Sequence, residues 1–199
     1  VLDALFGLKR LDRGTVMLNG EPYAPASPID AVEAGVALVP KHRDSEGVIG
    51  SFSLRENAAL PILRRLVKAG FVDRAEEKRI TQEFIDAVGT RPNDSELPCD
   101  ALSGGNRQKV VIAKWLTTKP RLLLLNSPTR GVDVGAKQEI YQLLSALARE
   151  GLSMVVVSED LPELLTISRR IVVFNRGRVS AVFEPGQEWT RDAILEKML

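Results

Sequence analysis

Two short runs of aliphatic residues constrain the fold of this 199-residue chain more than any other feature. The runs are Leu122–Leu125 and Met154–Val157, and no polar residue interrupts either of them. Continuous runs of this length are typical of strands that are buried on both faces of a parallel sheet. Between them lies a helical pattern with an apolar face that begins at Ile140, and Gly151 ends it. Strand, helix and strand in this order predict a right-handed crossover, so we expect an α/β fold.

Shorter elements are predicted on both sides of this unit. From about Ser53 to Lys119 the pattern is mostly helical and strand signals are absent, and Ser53 with Glu56 predicts a capping box. Elsewhere the patterns predict a helical face formed by Val1, Leu2, Leu5 and Leu8, a hairpin that turns at Asn19-Gly20, a helix over Ser27–Ala34, a strand over Val36–Val39, a hairpin of Ile171–Phe174 with Val179–Phe183, and a final helix over Thr190–Leu199. The sequence therefore predicts one domain over residues 1–199, with a mainly parallel sheet, an antiparallel β portion and a helical subdomain at about residues 50–118.

The segment Leu102–Lys109, with the sequence LSGGNRQK, is the strongest candidate for chemistry. Two glycines leave the backbone unhindered immediately before an apolar-periodic helix. The free N–H groups and the dipole of a helix N-terminus favour a phosphate there, and Ser103 adds a hydroxyl donor. For a bare Ser-Gly-Gly, a serine-capped helix after a glycine-rich turn would be the better explanation.

Two long motifs distinguish these readings. The whole octet resembles the signature motif of the ATP-binding domains of ABC transporters, and Asn106 with Val110–Leu116 resembles the sugar-importer branch. A second segment, 122–137, resembles the Walker B strand and D-loop of the same family. The resemblance extends from Val1 to about Val182. The chain is thereby identified as a member of this family, with a P-loop NTPase-like core, and is most similar to the second nucleotide-binding domain of a ribose-, galactose- or xylose-type importer.

The resemblance implies how such a domain would work. ATP would be shared between two ABC domains, and the partner domain would hold Mg²⁺. The helical subdomain would face transmembrane permease subunits, which implies a cytoplasmic protein at the inner face of the cell membrane. The residues implied to contact ATP are Ser103, Gly104, Gly105, Asn106, Gln108 and, in the D-loop, Asp133.

Four positions depart from the family pattern. Asn126 and Ser127 stand where the family has an Asp that holds Mg²⁺ and a Glu that acts as general base. Asn lacks the anionic charge that such a metal site uses, and Ser is not basic near neutral pH. Glu159 stands at the position of the switch histidine, and Lys41 at the position of a Gln or Glu near the metal. We therefore expect neither catalytic residues nor metal ligands in this chain, which removes general-base assistance of about 10²–10⁴ in rate.

The Walker A motif GxxxxGK[ST] does not occur in the 199 residues. Val1–Gly7 resembles the helix that follows this motif in the family, and the chain begins without Met. We therefore expect a chain that is cut short before or within Walker A, and that is inactive as an ATPase on its own. Whether the chain is an enzyme stays open at this point.

Three other interpretations stay open as well. The chain could be a structural or regulatory pseudo-domain of a transporter, a soluble ABC protein that acts on ribosomes or DNA, or a decaying gene fragment. A net charge of +1 argues against binding nucleic acid. His42, the single histidine, is expected to be a solvated loop residue, and Cys99, the single cysteine, to fill space rather than react.

Overall fold

A parallel sheet of three strands forms part of the core of the structure, a computed structural model that describes residues 1–185 and 189–198. The strands are β1 (Met17–Leu18), β2 (Glu21–Pro22), β3 (Val36–Val39), β4 (Val67–Lys68), β5 (Phe71–Val72), β6 (Leu122–Asn126), β7 (Ser153–Val157), β8 (Ile171–Asn175) and β9 (Arg178–Phe183). The helices are α1 (Leu2–Leu5), α2 (Pro28–Glu33), α3 (Leu54–Ala59), α4 (Leu63–Leu66), α5 (Arg74–Val88), α6 (Gly104–Leu116), α7 (Val134–Arg149), α8 (Leu161–Ile167) and α9 (Arg191–Met198).

The order β3-β6-β7 places β6 in the middle of the parallel sheet. Val36 pairs with Leu122 and Leu122 pairs with Ser153, so the three strands end at the same edge. The predicted burial on both faces is confirmed for β6. It is wrong for β7, where Val155 and Val157 are 38% and 45% exposed because one face of this strand is only partly covered.

The described part of the chain also contains three antiparallel hairpins. The predicted turn at Asn19-Gly20 between β1 and β2 is confirmed, and both residues have positive φ, as the tightest hairpin turns require. The predicted pairing of β8 with β9 is also confirmed. The expectation that no strands occur between Ser53 and Lys119 is wrong, because β4 and β5 form a hairpin there. Each of these strands has two residues, which is too short to produce a periodic signal.

The first turn of the chain differs from its prediction. Leu2 is buried as expected, but Val1 and Leu8 are exposed. Helix α1 ends at Leu5, and Gly7 turns the chain with a φ of +75°, so Leu8 leaves the predicted apolar face. Phe6 takes its place in the core and meets Trp115 of α6 edge to face, at 5.4 Å between ring centroids.

Helix starts agree closely with the sequence. The Ser27 hydroxyl accepts from Asp30 N, with Pro28 at the first helical position, and the Ser53–Glu56 capping box is complete. The predicted apolar face of α7 is buried at Ile140. The predicted final helix is confirmed as α9, and its predicted last residue, Leu199, lies outside the described residues.

Helix α6 connects the helices of the middle of the chain to the sheet. It packs against α3 and α5 on one side and against β3 and α7 on the other. Its residues Val110–Ala113 are fully buried in the core that these elements share. The N-terminus of α6 is therefore held in a fixed relation to the carboxyl edge of the sheet. In the described part of the chain, no helix has both the length and the apolar character needed to cross a membrane.

Candidate functional site

Ser103 caps the N-terminus of α6 and is exposed to solvent. Its backbone is extended, and its Oγ accepts a hydrogen bond from Asn106 N at 3.4 Å. The side-chain Nδ2 of Asn106 donates to the same oxygen at 3.0 Å. A helix of this length presents about half a positive charge at its N-terminus. The exposed hydroxyl therefore lies where an anion is favoured.

The two glycines after Ser103 allow close packing. A Cβ added at Gly105 would lie 2.5 Å from Ala136 Cβ at the start of α7, and one added at Gly104 would lie 2.8 Å from Arg43 Nη2. These approaches bring the N-termini of α6 and α7 together. The sequence predicted both glycines for the approach of a ligand, and the structure adds that helix packing itself needs Gly105, whereas the Arg43 side chain near Gly104 can move.

The other predicted ligand residues differ in accessibility. Asp133 caps α7, is exposed, and accepts from Ala136 N at 2.9 Å. Asn106 is half-buried, and its Oδ1 accepts from Arg91 N at 2.9 Å. Gln108 is only 2% exposed, so its amide lies in the interior and not on the surface where Ser103 lies. The structure thus brings Ser103 and Asp133 to one surface and leaves Gln108 behind it.

A π-helical turn at Arg43–Gly47 lies along α6 and links it to the start of α7. Arg43 donates through Nη1 to the carbonyl oxygen of Arg130 at 2.5 Å and through Nη2 to that of Gly131 at 3.1 Å. Lys114 Nζ donates to Gly47 O at 3.0 Å, and burial lowers the pKa of this amine. No local pattern in the sequence indicates this role of Arg43, because its partners lie 87 and 88 residues away and are backbone atoms.

Asn126 and Ser127 lie at the carboxyl edge of the sheet. Asn126 is the last residue of β6, and Ser127 N donates to Val157 O at 2.7 Å. Ser127 has a φ of +49°, in the left-handed region, so the chain turns sharply as it leaves the strand. Both residues are half-buried, and neither offers a carboxylate to a metal or a proton acceptor to water.

Lys41 and Glu159 are brought together by the fold, although 118 residues separate them in sequence. Lys41 Nζ lies 2.8 Å from Glu159 Oε1. The hydrogen bond from the ammonium group holds the pKa of Glu159 below its usual range. The Glu159 side chain is 87% exposed, so solvent screens this ion pair. Each side chain offsets the charge of the other at the position where the family resemblance places two groups that act on a nucleotide.

Two adjoining clefts surround these positions. One has a volume of about 440 Å³ and is lined by Lys41, His42 and Arg43 among others, and the second, of about 350 Å³, includes Ser127 and Glu159. His42 is exposed at the cleft, which agrees with the expected solvated loop residue. The described residues contain no group of three or more His, Cys, Asp or Glu side chains that could hold a metal ion.

Two further hydrogen bonds involve buried side chains, and the first of them, at Glu163, lies in the wall of the second cleft. Glu163 of α8 is 1% exposed and accepts a hydrogen bond from Thr129 Oγ1 at 2.7 Å, which ties α8 to the segment after β6. Cys99 is fully buried, accepts from Asn57 Nδ2 at 3.2 Å, and burial raises the pKa of its thiol to about 11. A protonated, inaccessible thiol agrees with the packing role expected for Cys99.

The sequence of this chain is similar to a known family and to known proteins. The family model described as ABC transporter matches residues 1–130. The chain is 41% identical over 184 residues to the ribose import ATP-binding protein RbsA of Geobacillus kaustophilus (strain HTA426), and 47% identical over 184 residues to that of Chromobacterium violaceum. Each alignment covers 92% of this chain and 37% of the relative. The chain therefore spans little more than a third of the length of these relatives.

Solved structures share the fold. An ATP-binding cassette of an ABC transporter aligns with 100% of this chain and 81% of its own, with a TM-score of 0.83 and 16% identity. A dimeric ATP-binding cassette in a post-hydrolysis state, bound to ADP and inorganic phosphate, aligns with 92% of this chain and 78% of its own, with a TM-score of 0.74 and 22% identity. The predicted α/β architecture, with parallel and antiparallel strands and packed helices, is confirmed.

Proposed function

Because this chain belongs to the ABC transporter family of ATP-binding domains, we propose that it is a nucleotide-binding domain of a carbohydrate importer and that it completes the ATP site of a partner domain. The names of its relatives support the importer, since they are ribose import ATP-binding proteins. The same names support ribose or a similar sugar as the transported molecule. In this proposal residues 1–199 are part of one such domain, without its Walker A motif, and about residues 50–118 form a helical subdomain inserted in the α/β core.

The observation that carries the proposal is a difference between the two ends of the candidate site. At the start of α6, the exposed Ser103 hydroxyl and the helix N-terminus suit a phosphate. At the end of β6, Asn126 and Ser127 offer neither an anion for a metal nor a base for water. A domain with this combination can contribute to a site that another domain completes, but it cannot catalyse hydrolysis with these positions.

The residues at the start of α6 fit the polyphosphate of ATP. Ser103 can donate a hydrogen bond, and the half-buried Gly104 leaves the backbone at the start of α6 without a side chain, whereas Gly105 is buried against Ala136. When bound, ATP supplies a γ-phosphoryl group whose transfer to water releases the free energy for transport. Asp133 lies at the neighbouring helix start and would face the partner domain. Gln108 is too deeply buried to contribute directly, and Asn106 contributes through Ser103.

The residues at and near the end of β6 do not fit Mg²⁺-bound ATP. The carboxylate of Glu159 would repel a phosphate, and it is already paired with Lys41. In our proposal the partner domain supplies Walker A, the metal ligands and the general base. The importer would also include permease subunits, and the domain would work at the inner face of the cell membrane.

The test is an assembled transporter that carries Ser103→Arg in this domain. The larger cationic side chain blocks the phosphate-facing surface, so we expect ATP hydrolysis and sugar uptake to fall by at least about 10²-fold, the usual effect of losing one preorganised donor. Ser145→Arg is the matched control, because Ser145 is exposed on α7 and outside the candidate site. Hydrolysis that is equal in the Ser103→Arg and parent transporters would contradict the proposal and favour a structural pseudo-domain.

A second measurement tests whether Asn126 and Ser127, at the end of β6, prevent hydrolysis. The purified 199-residue chain should hydrolyse ATP far more slowly than the assembled transporter. Turnover by the isolated chain at the transporter's rate would show that Asn126 and Ser127 do not disable the site. Salt-sensitive binding of RNA or DNA by the chain would instead favour a non-transport ABC protein.

A further inference from the structure

The side chain of Asn106 is held at both ends by hydrogen bonds within the chain. Oδ1 accepts from Arg91 N at 2.9 Å, and Nδ2 donates to Ser103 Oγ at 3.0 Å. Arg91 follows Gly89, the residue that ends α5. Asn106 therefore connects the segment after α5 to the capping serine of α6.

The orientation of this amide follows from its partners. A backbone N–H can only donate, so the group of Asn106 that faces Arg91 must be its oxygen. The NH₂ group is then directed at Ser103, where it can only donate. The reverse orientation would place two donors against each other at Arg91. The contact with Arg91 N, which lies on the opposite side of Asn106 from Ser103, thus determines the orientation of the amide.

The hydrogen bonds from Asn106 determine what the Ser103 hydroxyl proton can do. A hydroxyl oxygen has two acceptor lone pairs and one proton. Asn106 N and Asn106 Nδ2 both donate to Ser103 Oγ, so both acceptor positions are occupied. Among the described residues, no acceptor receives the Ser103 proton. Because Ser103 is exposed, that proton is left to be donated to a group outside the chain.

We infer that Asn106 is a positioning residue that makes the Ser103 hydroxyl a hydrogen-bond donor toward the γ-phosphate of the partner's ATP. This inference rests on the proposed function, and it assigns Asn106 a role different from that of a direct ATP ligand. The segment at Arg91 takes part, because the backbone of Arg91 holds the amide in place. Lys109 Nζ also donates to Gly89 O at 2.9 Å, so the same segment is tied to α6 at a second point.

Asn106→Asp in the assembled transporter tests this role. The carboxylate keeps the shape of the side chain and still accepts from Arg91 N, and an acidic residue in the first turn of a helix favours folding. It cannot donate to Ser103, however, and instead accepts the hydroxyl proton. We expect kcat for ATP hydrolysis to fall about 10²–10³-fold, the same loss that we expect for Ser103→Ala. The melting temperature should stay close to that of the parent.

The controls separate positioning from simple repulsion between the new carboxylate and the phosphate. Repulsion weakens ATP binding and raises KM, whereas loss of a donor used in the transition state lowers kcat. Repulsion would also persist without the Ser103 hydroxyl. In the Ser103→Ala background we therefore expect Asn106→Asp to lower kcat by less than about threefold. Asn106→Ala, which frees the hydroxyl to rotate without adding charge, should give a smaller loss of kcat than Asn106→Asp.

The outcomes distinguish this inference from the function on which it rests. If Ser103→Ala leaves hydrolysis unchanged, the proposed function fails and the inference fails with it. If Ser103→Ala lowers kcat but Asn106→Asp does not, only the positioning role is overturned. Equal losses from Asn106→Asp with and without the Ser103 hydroxyl would overturn it as well.

Discussion

The approach of α6 to α7 at Gly105 leads to a quantitative prediction about stability. In Gly105→Ala the new Cβ would lie 2.5 Å from Ala136 Cβ, whereas ordinary contacts are 3.4–4 Å. Both atoms are attached directly to helix backbones, so no rotamer change can relieve the overlap, and the helices must separate by about 1 Å. Overpacking of this kind typically costs about 1–3 kcal/mol. Replacing glycine by alanine within a helix offsets up to about 1 kcal/mol of this cost.

A double-mutant cycle with Ala136→Gly separates these two terms. Removing the Ala136 methyl group opens space for the new Cβ at position 105, so in that background Gly105→Ala should be neutral or stabilising by up to about 1 kcal/mol. Helix propensity contributes to each single change and cancels in the cycle. The remaining coupling free energy between the two positions should therefore be about 1–3 kcal/mol, and it measures the overlap alone.

Urea unfolding followed by far-UV circular dichroism gives the four unfolding free energies. A coupling free energy within about 0.5 kcal/mol of zero is the value expected for independent sites, and it would refute the close approach of the helices. Gly151→Ala is a control without the steric term, because the structure places nothing within 4 Å of an added Cβ there, although its φ of +98° adds backbone strain. The effect of Gly151→Ala should not change in the Ala136→Gly background.

Two further predictions concern the supporting contacts. Arg43→Lys replaces the two nitrogens that donate separately to the carbonyl oxygens of Arg130 and Gly131 by one, so the unfolding free energy should fall by roughly 0.5–3 kcal/mol. Urea midpoints test this against the exposed Arg178→Lys, and equal midpoints would contradict it. Burial raises the pKa of Cys99 to about 11 from an ordinary value of 9.0, so between about pH 9 and 11 the unfolded state holds fewer protons than the folded state and stability falls as pH rises. Across this window the unfolding free energy of Cys99→Ala, obtained from urea titrations, should decline less than that of the parent, by roughly 1–3 kcal/mol in total. An unchanged dependence on pH would argue against the raised pKa.

The sequence predicts those parts of the fold that depend on neighbouring residues. The β6–α7–β7 unit, the Asn19-Gly20 turn and the Ser53 capping box each follow from local rules, because their partners lie within a few residues or repeat at a regular spacing. Two of the errors have local causes too, whereas the exposed face of β7 depends on what packs against the sheet. Gly7 ends the first helical face early, and the β4–β5 hairpin is too short for a periodic pattern.

The candidate site is predictable only in its motifs. Ser103, Asn126 and Ser127 are found because they stand within long motif-like segments. The bonds of Arg43 to the start of α7 and the pairing of Lys41 with Glu159 were not predicted, because each joins segments that are far apart in sequence. Individual charged residues carry no information about such partners. Their pairing depends on how the parallel strands bring loops to one edge of the sheet.

The two ends of the site also differ in how firmly their residues are held. Ser103 lies at a helix start that contacts three distant segments, through Arg43, Arg91 and Ala136, and two of these contacts use glycine or backbone atoms that cannot move independently. The ion pair at the other end joins two side chains in solvent, an arrangement usually worth less than about 1 kcal/mol. A hydrogen-bond donor assists a reaction most when it is already in place before charge develops. The end of the site that has a suitable donor is thus also the end that is preorganised, which is the combination that the proposed function requires.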